Sequence, residues 1–571
     1  MIQHTDTCHV YVLRTGREAL LIDCGDGSVL DRLAEYGVDR VTDVLMTHHH
    51  RDQGQGLARL AQAGARIWVP EAEQDLFRAV DAHWQAREIY NSYNNREDRF
   101  SLLEPVPVAG VLRDYHTYTF GGRTFEVIPT PGHTTGSITL VTDGMAFVGD
   151  LIAGPGKVWS LAATQWSYNG GEGIPGTILS LLTLKDRSLG KLLPSHGEVM
   201  DDPQSAIDLT VERLAALRDL RRQNPRLFLL REQPYEAITP HLLKNRTSMS
   251  NAYVLLSQSG KALLIDFGYD FMFGPAAGAD RASRRPWLYT IPALKQQYGV
   301  TQIDAVVPTH YHDDHIAGCN VLRAVEGAQV WAGANFADIL EHPADYDLPC
   351  LWYDPIPVDR VLPLREPIQW EEYELTLHPL PGHTLHAVAI SVVVDGKRVV
   401  FVGDQWAGSG DLNYVYKNRF ESSDYLVTAE LLQELRPDLL IGGHWDPVQV
   451  TPEYLSDLRE RGARLAELHH SLLAAEPVTV LIQPYQAQTA PGVPVTVTVR
   501  VPGQASVRLV VPAGWSCTPD TACGSDEFRF TVVPPLGGGP VRRARIAADV
   551  TLGERRLGQI AEALITVANE G

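Results

Sequence analysis

The chain carries one ordered set of motifs twice. Thr47-His48-His49-His50-Arg51-Asp52-Gln53 matches Thr309-His310-Tyr311-His312-Asp313-Asp314-His315. The offset is 310 − 48 = 262 residues, and Gly37-Val38 and Gly299-Val300 are separated by the same 262 residues. Self-similarity at a fixed long period indicates a duplicated structural unit. We therefore predict that the chain folds as two tandem copies of one domain, each with the same order of elements.

Strands and turns flank this motif in both copies. Each copy opens with two apolar runs that predict a hairpin, Val10–Leu13 with Ala19–Gly25 and Ala252–Leu255 with Ala262–Gly268. Later in each copy an Asp-Gly pair, which favours a two-residue hairpin turn, precedes the runs Phe147–Asp150 and Phe401–Asp404. Asp202-Pro203 and Thr451-Pro452 each predict the start of a helix.

The repeated motif has the composition of a metal site. In Asp304–Gly318 the apolar run Ala305–Val307 leads directly into His310, His312, Asp314 and His315. Such a pattern predicts a buried strand that ends at clustered imidazoles and carboxylates, which are ligands of zinc and related metals. The alternative is a polar surface loop, and three histidines and an aspartate within six residues argue against it.

The pattern His-x-His-x-Asp-His resembles the signature of the metallo-β-lactamase-fold hydrolase superfamily. Leu380–Thr384 resembles the Gly-His-Thr loop of that superfamily, Phe401–Asp404 its bridging-aspartate motif, and Gly443-His444 its last histidine motif. The Pro-Gly-His-Thr loops and Gly-Asp motifs are most similar to the glyoxalase-II-like and lactonase-like branches. The resemblance implies an α/β fold of αββα type in two tandem copies.

The resemblance also implies which residues hold metal. In the second copy, one metal would be held by His310, His312 and His383, the other by Asp314, His315 and His444, with Asp404 bridging. The corresponding residues of the first copy are His48, His50, His133, Asp52, Gln53, Asp150 and His196. Gln53 departs from the pattern, and because a neutral amide is a poorer ligand than imidazole, we expect a mononuclear variant or a partly decayed duplicate there. The expected cofactor is Zn²⁺, two ions in the second copy and one or two in the first, with Fe or Mn as alternatives.

This ligand set implies a metal-dependent hydrolase. A metal-bound hydroxide, oriented by Asp314 (and by Asp52 in the first copy), would cleave an ester, thioester, lactone or amide of a small molecule. The alternatives are a mononuclear-iron oxidoreductase similar to persulfide dioxygenases, and a scaffold with a decayed first site. The net charge of −20 argues against nucleic-acid partners and nuclease activity.

We divide the chain at 1–232, 233–475 and 476–571. The last region has β-branched runs spaced by Pro and Gly, at Val478–Ile482, Val495–Val499, Val507–Val511 and Phe528–Val533, which predict a small all-β sandwich resembling immunoglobulin-like modules. We expect it to serve packing or homodimer formation, with ligand binding as the alternative. Residues 1–16 have no leader-like pattern and no apolar run is long enough to span a membrane, so we expect a cytoplasmic protein without a membrane partner.

Four further features have roles that we predict only from their positions in the sequence. His49 alternates away from the ligands and is predicted to be structural. His386, three residues after His383, is predicted to fill core or surface, with substrate contact as the alternative. His469 and His470 are predicted to be exposed helix residues. The insertion at residues 270–286 would border the substrate cleft or form a surface loop without function.

Overall fold

The structure is a computed structural model that describes residues 1–86, 100–159, 173–221, 224–270, 281–282, 284–406, 408, 410, 412, 421–472 and 478–568. The chain forms two compact units, Met1–Val306 with Ala317–Ala328, and Val307–Ile316 with Gln329–Gly571. The three-domain division at residues 232 and 475 stays a prediction.

The first repeat contains two mixed sheets. The first sheet has the order β1 (Ile2–Thr5), β2 (His9–Thr15), β3 (Glu18–Ile22), β4 (Arg40–Leu45), β5 (Arg66–Pro70) and β6 (Val108–Leu112). The second sheet pairs β7 (Thr117–Phe120), β8 (Arg123–Pro129), β9 (Ile138–Thr142), β10 (Met145–Gly149) and β11 (Lys191–Pro194) in that order. Strands β2 and β3 are antiparallel, which confirms the predicted opening hairpin.

Helices cover this repeat on both outer faces. They are α1 (Arg51–Gly54), α2 (Leu57–Gln62), α3 (Asp75–Arg78), α4 (Val80–Ala86), α5 (Gly173–Lys185), α6 (Pro203–Arg221) and α7 (Leu227–Glu232), with 3-10 turns at Ser28–Arg32 and Glu71–Glu73. Helix α6 begins at Pro203, as predicted, and the Asp202 carboxylate accepts the Ser205 N–H at 3.2 Å. This contact satisfies one of the amides that a helix start leaves without an intrahelical partner.

Alternation along the strands explains the layering. Tyr11 and Ile22 of the first sheet share one core with Phe125 and Leu140 of the second. The next residues along the same strands face away from this core. Those of the first sheet pack with α2 and α3, and those of the second with α5 and α6. Because strand side chains alternate between faces, both faces of each sheet are buried, which produces the predicted αββα arrangement.

The second repeat has a similar succession of elements, with one more strand in its first sheet and a helix, α8, where the first repeat has a 3-10 turn. Its first half contains β12 (Tyr235–Thr239), β13 (Leu242–Asn245), β14 (Tyr253–Leu256), β15 (Lys261–Ile265), α8 (Ile291–Tyr298), β16 (Gln302–Val307), α9 (Asp313–Ile316), α10 (Cys319–Glu326), β17 (Gln329–Gly333), α11 (Ala337–Glu341) and β18 (Arg360–Leu362), with a 3-10 turn at Pro343–Asp345. Strands β12 to β15 pair antiparallel in sequence, so the second predicted hairpin is also confirmed.

The rest of the second repeat lies in the second unit. Its sheet has the order β19 (Pro367–Trp370), β20 (Tyr373–Pro379), β21 (Val388–Val394), β22 (Lys397–Gly403), β23 (Leu439–Gly442) and β24 (Val448–Gln449). Helices α12 (Asp424–Leu435) and α13 (Pro452–Leu472) pack together, and α13 begins at Pro452 as predicted. Asp395 (φ 51°) and Gly396 (φ 77°) form the predicted tight turn, as do Asp143 and Gly144 in the first repeat.

The C-terminal region is all β, as predicted. It consists of β25 (Leu481–Gln483), β26 (Gln486–Thr489), β27 (Val495–Val510), β28 (Ser516–Thr518), β29 (Thr521–Val533), β30 (Val541–Leu552) and β31 (Arg555–Val567). The runs Val495–Val499 and Val507–Val511 were predicted as separate strands, but they belong largely to one strand, β27. Its register shifts between Val501 and Gln504, so Pro502-Gly503 bends the strand without ending it. The immunoglobulin-like resemblance stays a prediction. Among the described residues, no helix has the length and apolar content to cross a membrane.

Candidate metal centres

The metal motif of the second repeat follows the buried end of β16. Its strand residues Ala305–Val307 are buried, and the loop continues through Thr309 into α9. The Thr309 carbonyl accepts the Val388 N–H at 2.9 Å, which ties the loop to β21. The loop therefore places successive histidines directly after the end of β16.

Two sets of donor atoms meet at this loop and share one carboxylate. The ligand atoms within each set lie within 4.8 Å of one another. Asp404, at the end of β22, belongs to both sets, and its Oδ2 atom lies 3.1 Å from His444 Nε2. The sets are His310, His312, His383 and Asp404, and Asp314, His315, Asp404 and His444. The structure thus brings together all seven residues predicted for this repeat.

The donor atoms fit a divalent cation. His310 Nε2 and His312 Nε2 are buried and have no hydrogen-bond partner among the described residues. The other nitrogen of His310, Nδ1, lies 3.1 Å from Thr309 Oγ1, which orients the ring. Burying a polar atom without a partner is costly, and a cation held by imidazole and carboxylate groups would remove that cost.

Without a cation, the electrostatics favour the ligand-competent forms of His312 and Asp404 but the protonated form of His444. Burial lowers the pKa of His312 to about 3, so its imidazole is neutral, the form that binds metal. Burial alone would raise the pKa of Asp404, but His315 and His444 hold it well below its ordinary value. Burial opposes the charged form of His444, yet its contacts with Asp314 and Asp404 raise its pKa to about 9.

A glutamine that the sequence analysis missed supports the loop that carries His383. The Gln405 Oε1 atom accepts the His383 N–H at 2.8 Å. Its Nε2 donates to the Pro381 carbonyl and to Thr428 Oγ1, both at 3.0 Å. Gly382 has φ 147°, and a Cβ at this position would lie 2.1 Å from Gln405 Nε2. The only sequence signal for Gln405 is its position directly after Asp404.

The other histidines of the second repeat lie outside both donor sets. His386 is half-buried, and its Nδ1 lies 3.2 Å from the Asn335 carbonyl oxygen. On α13, His470 is exposed as predicted, whereas His469 is partly buried, which the prediction missed because the flanking helix face is half covered.

The first repeat brings its predicted residues together in a different arrangement. His48, His50 and His133 form one set of donors, and Asp52, Asp150 and His196 form another. Asp150 groups with the second set, but its Oδ2 atom also lies 3.5 Å from His133 Nε2 and 3.7 Å from His48 Nε2. His133 Nε2 lies 2.9 Å from His50 Nδ1, and His48 Nε2 and His133 Nδ1 are buried without a hydrogen-bond partner within the described ranges. The three imidazoles therefore fit a cation.

Gln53 changes the second set of the first repeat. Its Nε2 donates to Asp150 Oδ2 at 2.9 Å and lies 3.3 Å from His196 Nδ1. The two nitrogens of His196 lie 2.9 Å from Asp150 Oδ1 and from the Thr7 carbonyl oxygen, and the Trp159 ring stacks on His196 at 4.1 Å. These contacts occupy Gln53 Nε2, Asp150 and both nitrogens of His196, and only Gln53 Oε1 is buried without a hydrogen-bond partner among these side chains. A second cation would have to replace these hydrogen bonds, so it fits less well here than in the second repeat.

A buried glutamate, Glu73, contacts both histidine loops of the first repeat. His49 Nδ1 lies 3.0 Å from Glu73 Oε1, so His49 has a structural contact outside the donor sets. The same oxygen accepts the Thr134 hydroxyl at 2.6 Å and the Gly136 N–H at 3.1 Å. Burial would raise the pKa of Glu73, but His49 and these donors lower it to about 2. Glu73 was not predicted from the sequence, because it is one of two glutamates in the short 3-10 turn after β5 and has no motif around it.

Asp23 is a buried hydrogen-bond acceptor beneath the metal loop of the first repeat. It accepts hydrogen bonds from the Thr47 N–H at 2.8 Å, from the Thr47 hydroxyl, and from Ser195 Oγ at 2.6 Å. Burial nevertheless raises its pKa to about 7. Thr47 directly precedes His48, so Asp23 fixes the point where the ligand-bearing loop begins.

Several curated proteins are similar in sequence to parts of this chain. A hydroxyacylglutathione hydrolase of Methylobacillus flagellatus is 28% identical over 178 residues, 30% of this chain and 55% of that protein. An atrochrysone carboxyl ACP thioesterase of Aspergillus fumigatus is 26% identical over 237 residues, 39% and 62% of the two chains. A beta-lactamase-like protein 2 homolog of Drosophila melanogaster is 26% identical over 214 residues, which are 36% of this chain and 63% of that protein. The chain thus spans 55–63% of the length of these curated relatives.

A class B3 di-zinc metallo-beta-lactamase from an Alaskan soil metagenome is 15% identical to the chain, with a TM-score of 0.32 over 42% of this chain and 94% of that one. The family model of the metallo-beta-lactamase superfamily matches twice, at residues 5–204 and 245–444. These two matches cover the two repeats, which confirms the tandem duplication. The chain belongs to the metallo-beta-lactamase superfamily.

Proposed function

We propose that the chain is a metal-dependent hydrolase that cleaves an ester, thioester, lactone or amide of a small molecule at its second repeat. The observation that carries this proposal is the shared carboxylate of Asp404, which belongs to both donor sets. Such an arrangement suits two cations close together. The first repeat would hold a single cation, because the Gln53 amide N–H, and not an imidazole, faces Asp150 there.

The chain's own residues define how the second repeat would work. When bound, a pair of divalent cations lowers the pKa of water and polarises a carbonyl oxygen. His310, His312 and His383 would hold one cation, and Asp314, His315 and His444 the other. The Asp314 carboxylate lies 3.1 Å from His444 Nε2 and is 17% exposed, so it can accept a hydrogen bond from water and orient it. Zinc is the proposed metal, and the same donors also accept iron or manganese.

A thioester is the first substrate class to test. Two of the relatives are named as a hydroxyacylglutathione hydrolase and an ACP thioesterase. The net charge of −20 favours a small-molecule substrate over nucleic acid.

The test is a hydrolysis assay of acyl thioesters, lactones, esters and amides with zinc-loaded and chelator-treated protein. We expect Asp314→Asn to lower kcat/KM by about a hundredfold, since it removes the carboxylate that orients water and weakens a ligand of one cation. The equivalent change in the first repeat, Asp52→Asn, is the matched control and should leave most of the activity. Zinc-loaded protein that hydrolyses none of these bonds, or equal losses in the two variants, would contradict the proposal.

A persulfide-dioxygenase-like function is the second candidate. The separate set of three imidazoles in the first repeat supports it, because such a set suits a single iron ion. Iron in the purified protein, together with oxygen consumption in the presence of glutathione persulfide, would favour this candidate over hydrolysis.

A further inference from the structure

A segment of the second repeat contacts the metal loop of the first. Arg285 lies near the end of the insertion at residues 270–286, and its side chain is 8% exposed. Its Nε and Nη2 atoms donate to the two carboxylate oxygens of Asp114, at 2.6 and 2.5 Å. Its Nη1 donates to the carbonyl oxygens of Thr135, at 2.9 Å, and Ser137, at 3.3 Å. One guanidinium therefore joins a carboxylate to two backbone carbonyls.

These carbonyls belong to the turn directly after His133. The opposite side of that turn is held by Glu73, which accepts the Thr134 hydroxyl and the Gly136 N–H. Within the turn, Ser137 Oγ accepts the Thr134 N–H at 3.2 Å. The backbone after the metal ligand is thus fixed between a buried glutamate and a buried arginine.

The segment around Arg285 is anchored in the first repeat. The Trp287 side chain is 5% exposed and belongs to the same core as Ile128 and Ile174. The Leu288 N–H donates to the Tyr115 hydroxyl at 2.9 Å, next to Asp114. Apolar burial and backbone hydrogen bonding therefore both hold Arg285 in place, and a bidentate arginine–carboxylate pair adds directional rigidity.

The two repeats brace their histidine loops differently. In the second repeat the Gln405 amide accepts the His383 N–H from within the same repeat. The equivalent position of the first repeat is Leu151, an apolar side chain without a hydrogen-bonding group. Within the first repeat, Glu73 contacts one side of the His133 loop, and Arg285 of the second repeat adds hydrogen bonds to the carbonyls on the other side.

We propose that Arg285 is a positioning residue for His133, so that metal binding by the first repeat depends on a side chain of the second. The inference rests on the proposed binding of a cation by His48, His50 and His133. Removing a residue that orients a metal ligand without contacting the metal typically weakens metal affinity by about 10- to 100-fold. The insertion, predicted to border a cleft or to lack function, would then have a defined role through its described end.

The test measures zinc affinity of the full chain by competition with a chromophoric chelator. All variants carry His312→Ala and His444→Ala, so that the measured zinc binding is that of the first repeat. We expect Arg285→Ala to weaken zinc binding about 10- to 100-fold. Arg285→Lys should recover part of it, because lysine keeps the charge but lacks the planar fork. Arg187→Ala is the matched control. It removes another arginine–carboxylate pair of the first repeat, in which Arg187 Nη1 donates to both oxygens of Glu126, and it should leave the affinity unchanged.

Hydrogen exchange of metal-free protein supplies a second readout. Arg285→Ala should speed exchange across residues 131–138, whereas Arg187→Ala should not. Unchanged zinc affinity in Arg285→Ala, even with a lower Tm, would overturn the proposal and leave a purely structural role. A parent protein whose first repeat binds no zinc would overturn it as well. If Arg285→Ala does not fold, Arg285→Lys decides through the same two readouts. Because no substrate is present, a failure of the hydrolase proposal leaves this result intact.

Discussion

At the scale of single residues, one substitution separates the two metal centres. His315 in the second repeat lies 3.3 Å from the Asp404 carboxylate through an imidazole nitrogen. Gln53 in the first repeat places an amide N–H against Asp150 instead, at 2.9 Å. An N–H donor satisfies a carboxylate but cannot bind a cation. The sequence predicted a weaker subsite from the residue type; it could not show that Gln53, Asp150 and His196 would satisfy one another.

Gln53→His should therefore restore a second cation to the first repeat. An imidazole in place of the amide supplies the missing ligand and removes the hydrogen bond to Asp150. We expect the zinc content to rise by about one atom per chain, measured by elemental analysis. Gln55→His, two residues along on an exposed side chain, is the control and should add none. Equal zinc in wild type and Gln53→His would refute this account of Gln53.

Asp23 predicts a pH dependence of stability. Its folded pKa of about 7 lies above its ordinary value of 3.8, so the folded protein binds the proton more tightly than the unfolded chain. The stabilisation of the folded protein that results is present in full below pH 4 and is lost as the pH rises through 7. Between pH 5 and 7, this group should lower the free energy of unfolding by about 1.4 kcal/mol per pH unit.

Chemical denaturation of chelator-treated protein at several pH values, for wild type and Asp23→Asn, measures this effect. The difference between the two free energies of unfolding should change with pH over that window, because asparagine does not titrate. Parallel pH profiles would show that Asp23 is ionised throughout.

At the scale of elements, local patterns predicted most of the framework. Apolar runs and Asp-Gly turns predicted the hairpins, and Asp202-Pro203 and Thr451-Pro452 predicted the helix starts, because each depends on neighbouring residues. The long strand β27 was missed, since Pro502-Gly503 is typical of a turn and only pairing with β29 and β30 shows a bend. Glu73 and Gln405 were missed for a related reason: each contacts its ligand loop from a distant part of the chain.

The ligand loop of the second repeat should be sensitive to Gly382. Gly382→Ala would press against Gln405, displace the group that holds the His383 N–H, and destabilise the fold by about 1–3 kcal/mol. We also expect zinc affinity at the second repeat to fall by about tenfold, measured by chelator competition.

Gly396→Ala is the matched control, because this glycine also has positive φ but no atom lies within 4 Å of its Cβ position. It should cost about 1 kcal/mol through backbone strain alone and leave zinc affinity unchanged. If both variants bind zinc like the wild type, Gln405 does not position His383.

At the scale of the whole molecule, the duplication is the property that the sequence predicted best. The same motifs in the same order located both repeats and every residue that the structure gathers into the donor sets. What it could not predict is that the repeats are interdependent, since Arg285 reaches Asp114 across 171 positions of the chain. Sequence similarity identifies equivalent residues within each copy, whereas contacts between copies have no counterpart in a single domain.

The most direct test of the central claim is elemental analysis of the purified protein, with wild type beside His312→Ala and His50→Ala. The account predicts about three zinc atoms per chain, with the larger loss in His312→Ala and a loss of about one in His50→Ala. About four zinc atoms, falling equally in both variants, would contradict the asymmetry between the repeats. Retention of no metal by the wild type would contradict the metal centres altogether.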